Sequence, residues 1–328
     1  MPARGRPVEG AFAFGAAAGL GLLADAVLGD PRRGHPVAAF GRAAGAAERL
    51  LWRDDRASGA LFTAVCVGGA VTAAALADRT VRGSRRASLA LAAAATWTVV
   101  GGTSLGREAR LVGARLTAGD VPGARARLPH LCGRDPEALD EGHLARAVVE
   151  SVAENTSDAV VGALVWGALA GVPGLVGFRA VNTLDAMVGH RSPRHLRFGW
   201  ASARLDDAVG APGARLTAAL AVLAGGAPRR SLGVVRRDAH RHPSPNAGPV
   251  EASFAGALGV RLGGTLAYGG RVEHRPVLGA GQRPVEVADI DRAVRLSRRV
   301  TWLALAACVA GRAAWGSIQG RRRGGAVC

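Results

Sequence analysis

Apolar and polar positions alternate along this chain in long blocks. Residues 57–77 and 87–106 hold no charged side chain, and residues 11–29 are apolar apart from Asp25. Residues 159–178 form a fourth uncharged run, and 300–318 a fifth, interrupted by Arg312. About twenty apolar residues suffice for a helix to cross a bilayer, so the pattern predicts an all-α, multi-pass integral membrane protein. It has about four to five transmembrane or re-entrant helices, with polar helices in the loops. A shorter apolar stretch, 216–228, reads as a buried or partly inserted helix. The polar segments 29–56, 107–158 and 179–299 lie between the runs, and the whole of 1–328 is expected to form a single domain.

The fourth run contains Gly171-Val-Pro-Gly174, and two readings stay open. An ordinary kinked span would put Asp158 and Arg179 on opposite faces of the membrane. A broken pair of half-helices would return the chain to the face it left. Orientation follows from arginine counts in the loops. The short loop 79–86 holds four arginines, while the stretches 29–56 and 107–158 hold six and seven, which favours the two longer stretches as cytoplasmic.

Composition narrows the chemistry. The net charge is +17, yet all 42 basic residues are arginine and none is lysine. Without lysine there is no phosphate-loop lysine and no Schiff base for pyridoxal phosphate. Scattered arginines with few aromatics suit an anionic lipid surface better than nucleic acid. Cys66, Cys132, Cys308 and Cys328 are far apart and form neither a disulfide framework nor a zinc site.

The acids are more informative. In ARAVVESVAENTSDAV, Glu150, Glu154 and Asp158 recur every four residues, along one face of a helix. Such a row is either a solvated face or a set of oxygen ligands for a hard cation such as Mg²⁺. A second cluster, FRAVNTLDAMVGHR, carries Arg179, Asn182, Asp185 and His190, and a third carries Arg204, Asp206, Asp207 and Arg215. The third reads either as an ion-pair network or as part of a phosphate–metal site. Near the start, Asp30 lies in a Gly-Asp-Pro turn and His35 precedes Pro36. Asn246 lies in a turn before a Gly/Ala-rich helix expected to end at Gly263-Gly264. Asp238-Ala-His240 lacks the glycine of the cobalamin-ligating D-x-H-x-x-G pattern, Pro243 standing in its place, so no bound cobalamin cofactor is expected.

Together these stretches resemble the CobD/CbiB family of adenosylcobinamide-phosphate (cobinamide) synthases. The resemblance rests on GDP…HPV (29–37), VESVAENTSD (149–158), RAVNTLDAMVG (179–189), FGWASARLDD (198–207) and SPNAG…AGALGVRLGG (244–264). In order and coverage it extends from about residue 20 to 315; His190 departs from the tyrosine common at that place. It implies a membrane ligase of cobalamin biosynthesis that joins a propionate carboxyl of adenosylcobyric acid, through an amide, to aminopropanol or its O-phosphate. It also implies ATP and Mg²⁺, a corrinoid as substrate, lipid surroundings, and association with other late membrane enzymes of the pathway. The expected location is the cell membrane, with the site on the cytoplasmic face.

Matching that reaction to residue types assigns Mg²⁺ to Glu154 and Asp158, with Glu150 beside them and Asp206 and Asp207 next. Arg179 and Arg204 would hold phosphate. Asp30 and Asn182 would contact substrate, Asp185 would join the catalytic acids, and a carboxylate or His35 would serve as base. Asn155 and Asn246 would donate to corrin amides or an oxyanion. Two rivals are weaker. A CDP-alcohol phosphotransferase needs D-x-x-D-G-x-x-A-R, which is missing, and a transporter would set more acids inside the apolar runs.

Overall fold

A computed structural model of the chain describes residues 7–31, 34–137, 139–190, 192–268 and 271–324. Helices run in the order α1 (Pro7–Leu28), α2 (Pro36–Leu51), α3 (Arg56–Val81), α4 (Arg85–Val99), α5 (Gly102–Thr117), α6 (Val121–Arg127), α7 (Glu141–Thr156) and α8 (Gly162–Leu184). After these come α9 (Trp200–Ala224), α10 (Pro228–Asp238), α11 (Ala247–Leu258) and α12 (Ala288–Gly324). A two-stranded antiparallel hairpin, β1 (Leu262–Tyr268) and β2 (Arg271–Leu278), interrupts the helical order. Four segments are long and apolar enough to cross a membrane: Gly10–Leu28, Arg56–Val81, Arg85–Thr117 and Glu141–Gly189. The protein is an all-α, multi-pass membrane protein, and the β-hairpin is a small addition to it.

The chain divides into two compact units. The first holds residues up to Gly101, Gly162–Gly210 and those from Ala304 onward; the second holds Gly102–Val161 and Ala211–Leu303. In the first unit, α3 has 26 residues, about 39 Å at 1.5 Å per residue, enough to span. Its Leu61, Val65 and Leu76 are exposed, as are Phe12, Leu20 and Leu23 of α1. Large apolar side chains left outside on such helices suit a lipid environment. Where helices touch, the contacts are small. A side chain at Gly21 of α1 would meet Ala93 and Thr96 of α4, so the absence of a Cβ lets the backbones approach.

The reading left open at 171–174 is resolved by α8. Gly171 has φ 67° and ψ −146°, outside helical geometry, and Pro173 follows it. A Cβ built at Gly162 would strike the ring of Phe178, and one at Gly167 would meet Leu175. In a straight helix, residues 162 and 178 would be about 24 Å apart. The two arms of α8 therefore fold back on one another as a helical hairpin with its tip at Gly171. The first arm continues α7 through the segment Ser157–Val161 without a break, so the reversal lies inside the candidate span Glu141–Gly189. From α12, Arg312 donates to the carbonyl of Ala168 near the tip, and its guanidinium lies 5.7 Å from the Phe14 ring centroid. The one charge in the fifth apolar run thus satisfies a helix-end carbonyl.

Three local expectations are corrected. The run 87–106 is broken at Val100 and Gly101, between α4 and α5. Stretch 216–228 is the end of the 25-residue helix α9 and the start of α10. The helix after Asn246 stops at Gly259, which caps it at φ 73°, and Gly263 and Gly264 belong to β1.

Hairpin packing predicts that Gly162→Val is destabilised by about 1–3 kcal/mol, since the new side chain must displace Phe178. Gly69→Ala, with nothing within 4 Å, should be neutral or slightly stabilising. Thermal denaturation of the detergent-solubilised protein checks both; equal melting temperatures would contradict the hairpin.

Candidate functional site

The five polar motifs sort into two constellations, one in each unit. In the second unit, Glu150 leaves α7 into the interior and is only 1% exposed. Its Oε2 accepts from Arg134 Nη2, its Oε1 accepts from the Gly263 backbone N–H at 2.6 Å, and Arg146 Nε stands 4.0 Å away. Arg146 in turn donates to the Gly263 carbonyl at 2.5 Å. A buried carboxylate needs such partners, because desolvation without them costs several kcal/mol. VESVAENTSD and the LGG end of the last motif are thereby locked together through one carboxylate. Both oxygens of Glu150, expected among the catalytic and metal-binding acids, are engaged by Arg134 and by the Gly263 N–H of β1.

The four-residue periodicity also ends earlier than expected. α7 gives way at Ser157 to a π-turn, Ser157–Val161, which inserts a residue and displaces Asp158 from a continuous helical face. Glu154 is exposed on the last turn of α7, and Asn155 donates its amide to the Ser151 carbonyl at 2.9 Å. Asp158 is half-buried.

Facing this helix, α11 and the turn before it supply groups that sequence reasoning passed over. Glu251 is 3% exposed and His242 8%, with Nε2 of His242 3.7 Å from Oε1 of Glu251. Nδ1 of His242 lies 3.0 Å from the Ser244 N–H and 3.3 Å from the Ser244 carbonyl, so the turn holds the ring through that nitrogen and leaves Nε2 toward the carboxyl. Burial, followed by the charges of Glu150 and Glu154, pushes the Glu251 carboxyl well above the usual carboxylate range, against Arg134 and Arg275. Burial pushes the His242 imidazole down. Both groups therefore favour their neutral forms. Asn246 is held by its oxygen: Arg215 Nη1 lies 3.4 Å from Oδ1 and donates to the Pro245 carbonyl at 2.8 Å. The carboxamide NH₂ is its donor end. HRHPSPNAGPVEAS places His242 and Glu251 in the sequence, but only folding buries them beside each other.

In the first unit, His35 caps α2, its Nδ1 accepting from the Val37 N–H at 3.2 Å. That bond engages one ring nitrogen of His35, expected as a candidate general base, in capping the helix. Asp30 is half-buried in the turn after Gly29, whose φ is 64°. The start of α2 and the α8 residues Val176, Arg179 and Thr183 line a cavity of about 430 Å³ whose walls are mostly apolar. Arg179 Nη1 donates to Asn182 Oδ1 at 3.3 Å. Asp185 folds over Gly189, where a Cβ would collide with its carboxylate, and His190 and Asp207 are the charged groups acting on it. Arg204 Nη1 lies 3.5 Å from Asp207 Oδ2, the ion pair that the spacing allows, and Asp206 is half-buried beside it. Thus GDP…HPV, RAVNTLD and SARLDD converge here, while VESVAENTSD and SPNAG…LGG converge in the other unit. Glu154 and Asp158 belong to the second unit and Asp206 and Asp207 to the first. Among the described residues, no group of three or more His, Cys, Asp or Glu is arranged to hold a metal ion.

A polytopic helical membrane protein with one buried acid–arginine–histidine centre and one arginine-lined apolar cavity is the class that these features define. Residues 18–297 match the CobD/Cbib protein family, and the chain belongs to that family. It is 53% identical over 285 residues to the cobalamin biosynthesis protein CobD of Mycobacterium tuberculosis (strain ATCC 25618 / H37Rv), covering 86% of this chain and 90% of the relative. The CobD proteins of Chromobacterium violaceum and Rhodobacter capsulatus are 43% and 41% identical, over 87% and 84% of this chain and 92% and 90% of theirs. No solved structure matches. The chain is an enzyme of cobalamin biosynthesis with a corrinoid substrate.

The shifted carboxyl yields a signed pH dependence. Because the folded-state pKa of Glu251 lies above its unfolded value, its contribution to stability is fully present below the ordinary glutamate pKa, about 4.3. That contribution is lost as pH rises from there toward the folded-state value. Glu251→Gln should match wild type near pH 4.5 and gain a growing advantage up to pH 8, measured as melting temperature against pH. An advantage independent of pH would contradict the assignment.

Proposed function

We propose that the chain forms the amide between a propionate carboxyl of adenosylcobyric acid and aminopropanol or its O-phosphate, giving adenosylcobinamide or its phosphate. The observation that carries this reading is the meeting of VESVAENTSD and SPNAG in one polar centre, where a neutral, buried carboxyl stands beside a neutral imidazole. Amide formation from a free acid and an ammonium ion needs two things of a protein: activation of the carboxylate and removal of a proton from the amine. Mg²⁺ and ATP would supply the first when bound, as phosphoryl activation of the carboxylate that gives the amine a phosphate leaving group to expel. Mg²⁺ takes one or two protein carboxylates and completes its shell with phosphate oxygens and water. Glu154, exposed at the end of α7, and Asp158, half-buried in the π-turn, would supply those carboxylates without a three-acid cage.

In the neutral form that burial favours, the Glu251 carboxyl already carries its proton, so the neutral His242 imidazole is the group in this centre suited to accept the proton of the attacking ammonium. Glu251 Oε1, 3.7 Å from Nε2 of His242, is the carboxyl next to that base. The NH₂ end of Asn246 can donate to the oxygen of the collapsing tetrahedral carbon. In the first unit, the apolar cavity with Arg179 at its wall suits the amphipathic rim of a corrinoid, which presents amides and a carboxylate over an apolar ring. The arginine-rich stretches 29–56 and 107–158 support a cytoplasmic face for the site, in the cell membrane.

Complementation tests this reading. In a strain whose copy of this gene is deleted, growth on a cobalamin-dependent substrate should be rescued by cobinamide and not by cobyric acid. Plasmid-borne wild type should restore growth on cobyric acid, whereas Glu154→Ala and Asp158→Ala should lower product formation at least 100-fold while inserting normally in the membrane. Rescue of the deletion strain by cobyric acid alone, or full activity in both variants, would overturn the assignment.

A further inference from the structure

On the outer side of the Glu150 lock, the second unit contains a cavity of about 400 Å³ that no role has yet filled. Its floor is the backbone at Leu262, Gly263 and Gly264, and its polar wall is Arg146, Arg261 and His143. Val277, Pro284 and Val285 close the opposite side with apolar surface. The arrangement is built rather than incidental. Arg146 is anchored by its bond to the Gly263 carbonyl at 2.5 Å and by Glu150, so its position is fixed from beneath. A Cβ at Gly264 would come within 3.2 Å of Nη1 of Arg146. At that position φ is +86°, which only glycine adopts at low cost, so the strand lies against the guanidinium without a side chain between them.

The charge at this wall is positive. Arg261 lies near enough to Arg146 to repel it, and among the described residues no carboxylate pairs with Arg261. Glu150 and Asp140 already give Arg146 negative neighbours, so Arg261 is the cation of this wall that an added anion would meet. The one acid lining the cavity, Asp140, is already committed. Its Oδ1 accepts from the His143 N–H at 2.8 Å and lies 2.7 Å from the His143 ring nitrogen, capping α7. Two arginine forks present the donor geometry that phosphate oxygens take, and the apolar wall offers room for a short carbon chain attached to the phosphate.

We propose that this cavity is a phosphate pocket, in which Arg261 and Arg146 hold the phosphate of a small phosphorylated substrate, a phosphate monoester. The proposal rests on the amide-forming reading for the identity of that substrate, the phosphorylated amino alcohol. A nucleotide's terminal phosphate shares the same chemistry, and the test separates the two sources. Arg261 is the informative position because it is exposed and holds up no neighbour, whereas Arg146 supports β1.

The full chain is purified in detergent as wild type, Arg261→Gln and Arg261→Lys. Inorganic phosphate serves as the binding probe by its effect on melting temperature, and KM is measured for O-phosphoaminopropanol, aminopropanol and ATP. Phosphate should raise the melting temperature of wild type and not that of Arg261→Gln. In Arg261→Gln, the KM for O-phosphoaminopropanol should rise at least tenfold, with kcat and the KM for aminopropanol unchanged; Arg261→Lys should recover part of the loss. A rise in the KM for ATP instead would support the pocket and assign it to the nucleotide. Unchanged KM values together with equal phosphate protection in all three proteins would overturn the proposal. Should wild type form no corrinoid amide while phosphate still protects it through Arg261, the functional reading fails and the pocket stands.

Discussion

A carboxylate removed from water must be given its hydrogen bonds by the protein, and the second unit is arranged around that requirement at Glu150. Arg134 approaches from the loop before α7, and the Gly263 N–H from the β-hairpin after α11, with Arg146 of the same helix beneath. Three segments distant in sequence meet there because leaving any partner out would strand a charge in the interior at a cost of about 3–5 kcal/mol. The chemistry follows from the same arrangement. A second buried carboxyl, Glu251, lies within the field of Glu150 and Glu154, and like charges in a dry site cannot all remain ionised. Glu150 is tied to its partners, and burial with the charges of Glu150 and Glu154 pushes the neighbouring Glu251 carboxyl upward.

The first unit solves a different problem with backbone geometry. A polar chain segment inside a bilayer must satisfy its own N–H and C=O groups, so a run that turns back does so as two packed half-helices. Gly171 provides the backbone conformation for the turn, glycines 162 and 167 make room for Phe178 and Leu175, and Arg312 accepts the task of capping a carbonyl near the tip. Arg179 emerges from the second arm at the wall of an apolar cavity, which places an arginine where an amphipathic ligand can meet it.

Much of the fold was legible in the sequence, because uncharged runs of bilayer length have few alternatives. The five runs correspond to α1, α3, α4 with the start of α5, α8, and the middle of α12. The reversal at Gly171 was not decided by composition, since both arms of the hairpin are as apolar as a single span. The β-hairpin was hidden because Gly263 and Gly264 read equally well as the end of a helix. Within the site, spacing placed Glu150 and Glu154 on one face but carried no information on depth, and depth separates the buried Glu150 from the exposed Glu154. His242, Glu251 and Arg134 left no sequence signal because each is a lone polar residue until folding buries it beside the others. His35 was visible as a residue before proline, and its role as a cap follows from one hydrogen bond that sequence could not show.

The central claim is that this chain joins an amine to a corrinoid carboxyl. Purified full-length protein in lipid nanodiscs, given adenosylcobyric acid, O-phosphoaminopropanol, ATP and Mg²⁺, tests it by mass spectrometry of the corrinoid. The account predicts a corrinoid heavier by the amine less one water, formed only when all four components are present. An unchanged corrinoid mass under conditions where the protein is folded, with or without ATP consumption, would contradict it.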